Sequence, residues 1–399
     1  MQHFSFIVKL AQHVLIVTAL YLSSVAYATD AVPNSGIKIV PVPTVKATAL
    51  PAEKTASPHI ALLLPLKSAD FGSAAEAVRQ GFLAAANTQS HSIPIKVYES
   101  NDENTDVIAL YQQAIASGAR AVVGPLTRNG VTVLSGYPAI TVPTLALNVV
   151  EGKNSDKLYF FGRTAESEAR QIAQLAAASG LHSANIVNSG TPLSKRVSQA
   201  FAAEWKILGN SIAKEVIYNN NPTVLADLPV AEGNMVFLAA DAETAHLIRP
   251  YLNTTLPVYA TSQIFDGNTD TLTNFDLNGV HFIDMPWLLE LDHPAVMIYP
   301  RSTPPLSPDM ERLYALGIDA FRLLQIMLDN KLNTSFPLDG VTGHIRLGAH
   351  QQFQREAIPA VFWQGRGLTP EDIAAQEAAL AAAKETAASG VSPVPNPKP

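Results

Sequence analysis

Five short runs dominated by apolar or β-prone residues recur along one stretch of the chain: Ile60–Leu64, Ile95–Glu99, Ala121–Gly124, Thr144–Asn148 and Leu158–Gly162. Helical segments such as Glu103–Ser117 separate them. Near-continuous apolar runs predict strands covered on both faces, and their alternation with helices predicts a parallel sheet flanked by helices. After a helix predicted over Ala165–Ser179, a second series follows at Asn185–Asn188, Ile212–Tyr218, Met235–Ala239, Val258–Thr261 and Val280–Asp284. That is material for a second sheet, so the pattern predicts an α/β chain with two Rossmann-like lobes.

The first strand hands over to a helix through the loop Pro65–Gly72. Ser73 with Glu76 three residues on reads as a capping box, and Ala74, Ala77, Val78, Gly81, Phe82 and Ala85 share one helical face. In open parallel sheets ligands sit at this end of the strands, though every such sheet has these loops whether or not it binds anything. Further on, Ser307 and Pro308 start a helix whose Leu313, Gly317, Ala320, Leu324 and Met327 form a face expected to pack on the first lobe's sheet. Trp205 and Trp287 read as residues that define the fold.

The chain has 399 residues, enough for two lobes plus appendages. Its net charge of −7 offers no basic field for a phosphate backbone, so no nucleic acid is expected as a partner. At the N-terminus Lys9 is the only full charge before the apolar run Val14–Leu22, and Ala26-Tyr27-Ala28 fits a small-x-small cleavage pattern. Residues 1–28 therefore read as a signal peptide for export. The run is shorter than the roughly 20 residues that span a bilayer, and a membrane association arises only if it is retained. Residues 29–57 read as a Pro- and Ala-rich linker, 58–365 as the folded module, and 366–399 as an Ala/Pro-rich mobile tail. Within the module, 58–161 and 287–332 are assigned to the first lobe, and 162–286 and 333–365 to the second. The chain has no cysteine, which excludes disulfides and a lipid-bearing cysteine.

Catalytic signatures do not emerge. There is no Gly-x-x-x-x-Gly-Lys-[Ser/Thr], no Gly-x-Gly-x-x-Gly after a strand, no Gly-x-Ser-x-Gly and no His-Glu-x-x-His. No cofactor and no metal are expected, and His281 and His293 read as a strand-face and a loop residue. Ser211-Ile212-Ala213-Lys214 matches Ser-x-x-Lys, but it begins a strand, where the serine would not be presented as a nucleophile. The acidic group Glu99, Asp102, Glu103 and Asp106 lies where a strand meets a helix, a place favoured for acids by the helix dipole alone. The chain does not read as an enzyme.

Two strings resemble type I periplasmic binding proteins. Tyr159-Phe160-Phe161-Gly162-Arg163-Thr164, followed by Glu166, Glu168-Ala169-Arg170 and Ile172-Ala173, looks like their crossover between lobes. Leu338-Asp339-Gly340-Val341-Thr342-Gly343-His344-Ile345-Arg346-Leu347 looks like their closing hairpin, with Gly340 and Gly343 supplying turn conformations. This implies two parallel-sheet lobes joined by three crossovers. Within that group the chain is most similar to the penicillin-binding protein activator family, the LppC- or LpoA-like proteins. The strings that carry this are His59–Leu66, Gly124-Pro125-Leu126, Ala200–Gly209, Tyr259-Ala260-Thr261-Ser262, Gly279–Trp287 and Met310–Ala320.

The resemblance implies a non-catalytic protein of the periplasm that binds a class A penicillin-binding protein and regulates peptidoglycan synthesis by contact. Two departures stand against a full carry-over: the best-known members have a lipoprotein cysteine and a large helical-repeat domain ahead of this module. The alternative is a periplasmic solute-binding protein closing its lobes on an amino-acid-like ligand. The cleft residues for such a ligand would be Lys67, Ser68, Thr127, Asn148, Ser189, Thr191, Asp241 and Ser262, whose hydroxyls, carboxylate and ammonium suit a zwitterion.

Overall fold

The computed structural model describes residues 56–88, 93–150, 155–268 and 271–388. The expected signal peptide, nearly all of the expected linker and the chain end after 388 lie outside the described residues. The chain runs through β1 (His59–Leu64), α1 (Gly72–Thr88), β2 (Ile95–Glu99), α2 (Glu103–Ala116), β3 (Ala119–Val123), α3 (Arg128–Ser135), β4 (Thr144–Ala146) and β5 (Leu158–Phe161). It continues through α4 (Ala165–Ala178), β6 (Ser183–Asn188), α5 (Pro192–Ile207), β7 (Ser211–Ile217), β8 (Asn234–Ala239), α6 (Ala242–Ile248), β9 (Val258–Ala260) and β10 (Val280–Asp284). Next come α7 (Pro286–Leu289), α8 (Pro294–Met297) and α9 (Pro308–Leu328), then β11 (Leu338–Gly340), β12 (Gly343–Leu347), β13 (Gln352–Glu356), β14 (Ile358–Trp363), β15 (Arg366–Leu368) and α10 (Pro370–Ala388).

The strands form two sheets, ordered β11-β12-β13-β5-β4-β3-β1-β2 and β15-β14-β10-β9-β8-β6-β7. The pairings among β1 to β5 and among β6 to β10 are parallel, as the apolar runs predict, and β1 is buried at every position. Among the described residues, antiparallel strands appear only at one margin of each sheet: β11 and β12 in the first, β14 and β15 in the second.

Those margins correct the expected lobe boundary. Residues 333–365 were assigned to the second lobe, yet β11 to β13 belong to the first sheet, with Gln352 of β13 in register with Phe160 of β5. The cause is a tertiary contact. Asp319 of α9 accepts hydrogen bonds from the Val341 amide (3.2 Å), the Thr342 amide (2.8 Å) and the Thr342 hydroxyl (2.7 Å), which pins the β11–β12 turn to a first-lobe helix. The chain crosses back only between β13 and β14. The expected tail also begins inside the fold, because Arg366–Leu368 is β15. Gly343, which follows the Val341–Thr342 turn, adopts φ +125° against the Glu356 carbonyl, a conformation and a space closed to other residues; Gly340 is needed for space, since a Cβ there would lie 2.6 Å from the Asp319 carboxylate.

One helix start differs from expectation. Ser73 lies inside α1 and Glu76 does not turn back to cap it; the carboxylate takes a fork from Arg79 at 2.7 and 2.6 Å, a charge-assisted pair that outcompetes a backbone amide. The hydroxyl that bonds an amide ahead of α1 is that of Ser68, accepting from Phe71. Ser307 occupies the cap position of α9, without a side-chain bond, and Pro308 fills its first turn. α9 packs chiefly on α1, where Gly317 and Gly81 let the two backbones meet, and both helices share one core with β1 and β3.

Candidate functional site

Four loops at the carboxyl ends of β1 to β4 frame a cavity of about 780 Å³ that opens beside the first crossover. Asp70 and Phe71 come from the loop after β1, Asn101 and Asp102 from that after β2, Arg128 and Asn129 from that after β3. Arg163 of the crossover closes one side, and Leu313 and Leu316 of α9 form the floor. Glu103, a buried residue of the cavity wall, accepts hydrogen bonds from the Leu126 amide (3.0 Å) and the Thr127 amide (2.6 Å). Burial pushes its carboxyl above the usual range against the pull of those amides. Its chemistry is thus directed at holding the β3–α3 loop. Asp102 caps α2, and Asp106 accepts from the amides of Asn101 and Asp102.

Of the eight residues expected to meet a ligand, Ser68, Thr127 and Asn148 line this cavity. Thr127 also caps α3 by accepting from the Gly130 amide, and Asn148 donates to the Leu126 carbonyl. Lys67 points elsewhere, to Glu99 at 3.3 Å. Thr191 and Asp241 cap α5 and α6, and the Ser189 hydroxyl lies 3.4 Å from that of Thr191. Ser262 is buried, and its hydroxyl donates to Glu168 at 2.6 Å. Apart from Arg163 of the crossover, no second-lobe residue among the described residues lines the cavity. Ser211 and Lys214 lie on opposite faces of β7 and bond to separate backbone carbonyls, of His182 and Asp227.

The chemistry that was not anticipated from the sequence lies where the crossovers run between the sheets. Arg312 of α9 holds Asp284, at the end of β10, at 2.6 Å, and also donates to the carbonyls of Ser262 (3.0 Å) and Phe265 (2.7 Å). Its side chain is 2% exposed and that of Asp284 1%. Burial works against the guanidinium charge, but Asp284, Asp309 and Glu168 raise its pKa above the ordinary arginine value. In parallel, Arg355 of β13 pairs with the buried Glu168 of α4. Arg163 lies 3.5 Å from Asp309, which also bonds Arg312 at 3.0 Å. Arg312 and Arg355 stand on first-lobe elements and Asp284 and Glu168 on second-lobe elements, so both buried pairs fasten one lobe to the other. Towards the cleft, Glu166 takes Arg196 at 2.9 Å and Arg128, from the opposite lobe, at 3.7 Å.

The model of a family described as "LppC putative lipoprotein" matches residues 38–231 and 227–365. The chain belongs to the LppC family. The penicillin-binding protein activator LpoA of Haemophilus influenzae is 28% identical over 320 residues, covering 77% of this chain and 54% of that protein. The chain thus spans about half the length of the curated relatives it matches. The solved C-domain of LpoA from Haemophilus influenzae, described as a regulator of PBP1A, superposes with a TM-score of 0.66 at 24% identity, over 78% of this chain and 99% of that one. A Chromobacterium violaceum structure described as a "putative branched-chain amino acid ABC transporter" has a TM-score of 0.66 and 37% identity, over 76% of this chain and 99% of that one.

Three strings that carry the family resemblance meet at this joint, supplying Arg312, Asp284 and Ser262, and Glu168 comes from the crossover string. In this LppC chain, burial opposes ionisation of Glu168, but Arg355, Arg163, the Ser262 hydroxyl and Arg312 outweigh it and hold its pKa below the ordinary 4.5. A carboxyl with a depressed folded pKa contributes stability above its unfolded value and loses it as pH falls through the folded one. Stability measured by urea melts should therefore fall as pH is lowered below 4.5. Glu168→Gln should flatten that slope while lowering stability at neutral pH; an unchanged slope would show that Glu168 is not among the groups titrating there.

Proposed function

We propose that this chain is a non-catalytic regulator of peptidoglycan synthesis, exported to the periplasm, that binds a class A penicillin-binding protein. The observation that carries this is LppC membership combined with a joint bonded by buried ion pairs from both lobes. A joint of that kind resists relative rotation of the lobes and favours presenting a fixed surface to a partner over closing on a solute. The names of the curated relatives, activators of penicillin-binding proteins, point the same way.

A second reading, an amino-acid-binding protein, draws on the 780 Å³ cavity and on the Chromobacterium violaceum neighbour. It is the weaker one because the cavity walls come from the first lobe and the crossover, whereas a clamp needs groups from both lobes. The test is reconstitution: the purified chain is titrated into a class A penicillin-binding protein with labelled precursor, and cross-linked product is resolved by chromatography. Cross-linking is expected to rise to a plateau with added chain. No rise at saturating chain, together with a dose-dependent increase in melting temperature on adding an amino acid, would replace this reading with the second.

A further inference from the structure

A groove of about 430 Å³ lies on another side of the lobe junction, between α4 and the β12–β13 pair. Every side chain lining it is polar. From α4, Ser167, Arg170, Gln171 and Gln174 fall at spacings of three and four residues and share one helical face. From the strands, Gln352 and Gln354 lie on one face of β13, and Arg346 is in register with Gln354.

Most of the charge in the groove is already matched: Arg346 pairs with Glu356, and Arg355 with Glu168. Arg170 is exposed and has no ion-pair or hydrogen-bond partner among the described residues. The groove therefore carries one uncompensated guanidinium, the side chain best shaped to take a carboxylate through two parallel bonds. Around it the amides are held in place. Gln171 donates to the Ala357 carbonyl at 2.5 Å and accepts from the Ala357 amide at 3.0 Å, and Gln174 donates to Glu204 at 2.7 Å. The amide groups of Gln352 and Gln354 have no partner among the described residues. Standing two residues apart on a strand, they repeat every ~7 Å, the spacing of alternate peptide groups in an extended chain.

We propose that this groove binds a short extended peptide by its free terminal carboxylate, with Arg170 taking the carboxylate and Gln352 and Gln354 reading the peptide groups. The volume falls within the roughly 300–1,000 Å³ of small-molecule sites, and the lack of any aromatic lining argues against a stacked sugar ring. Two sources share this chemistry: cell-wall stem peptides, which end in D-alanine, and ordinary polypeptide C-termini. The site is independent of which penicillin-binding protein is the partner.

Calorimetric titration of the full chain with four probes tests it: acetyl-L-Lys-D-Ala-D-Ala, acetyl-L-Lys-L-Ala-L-Ala, and the C-terminal amide of each. At least one acid should bind and exceed its amide by roughly tenfold in affinity, as expected for a charge-assisted contact. Arg170→Gln should remove that preference, and Gln354→Ala should weaken acid and amide alike, both with the melting temperature unchanged because both positions are exposed. Preference for the D- or the L-peptide identifies the source. Equal binding of acid and amide, no binding of either acid at millimolar concentration, or an acid preference that survives Arg170→Gln would overturn the proposal.

Discussion

Arg312→Ala is expected to lower the stability of the chain by roughly 3–5 kcal/mol, the cost of leaving the other half of a buried ion pair alone. Asp284 would keep only the Met285 amide, at 2.8 Å, in a site where its side chain is 1% exposed. The carbonyls of Ser262 and Phe265 would lose donors at the same time. Urea melts of wild type and variant give the difference directly. The companion experiment separates charge from packing: Arg312→Met combined with Asp284→Leu removes both charges while keeping much of the volume. Replacement of a buried pair by apolar groups is often neutral or stabilising, so the double variant should recover most of what the single one loses. A single-variant cost below about 1 kcal/mol, the range of exposed pairs, would mean that the pair does not fasten the joint.

The central strands of both sheets, such as β1 and β8, were legible in the sequence because each is a run of apolar residues covered on both faces, and local pattern alone decides such a run. Val280–Asp284, for instance, is β10 as read. The β11–β13 segment was not placed correctly, since its sheet is chosen by Asp319 reaching a turn more than twenty residues away. Five of the eight residues expected to meet a ligand lie away from the cavity for a related reason. Hydroxyls and carboxylates after strands were read as ligand contacts, but that is also where helix N-termini need acceptors, and Thr127, Thr191 and Asp241 meet that local need.

The buried joint had a signal that composition obscures. Asp284 in Val280-His281-Phe282-Ile283-Asp284 and Asp319 in Leu316-Gly317-Ile318-Asp319-Ala320 are single charges in apolar surroundings, and such charges are retained inside a protein only when paired. The partner of Asp284, Arg312, lies on another segment, so the sequence marks that charge without marking its pair; Asp319 pairs with Arg322 three residues on, but the Val341–Thr342 turn that it also holds is equally remote.

The same helix that carries Arg312 and Asp319 depends on Gly317, and Gly317→Ala is the second large effect expected. A Cβ built there would lie 2.2 Å from the Val78 carbonyl oxygen, and one built on Gly81 would lie 1.9 Å from that of Tyr314. Both obstacles are backbone, so neither yields by a rotamer change; α9 must move off α1. Overpacking of this kind costs typically 1–3 kcal/mol, and contacts this close put it at the upper end or beyond. The sign is what makes the experiment decisive. Alanine is favoured over glycine in a helix interior by about 1 kcal/mol, so without the close approach the substitution would stabilise the chain. Displacement of α9 also shifts Arg312 against Asp284 and Asp319 against the Val341–Thr342 turn. Loss of stability in Gly317→Ala should therefore be less than additive with that in Arg312→Ala, because the first variant already weakens the contacts the second removes. Strict additivity in the double variant would show that the helix contact and the lobe joint are independent.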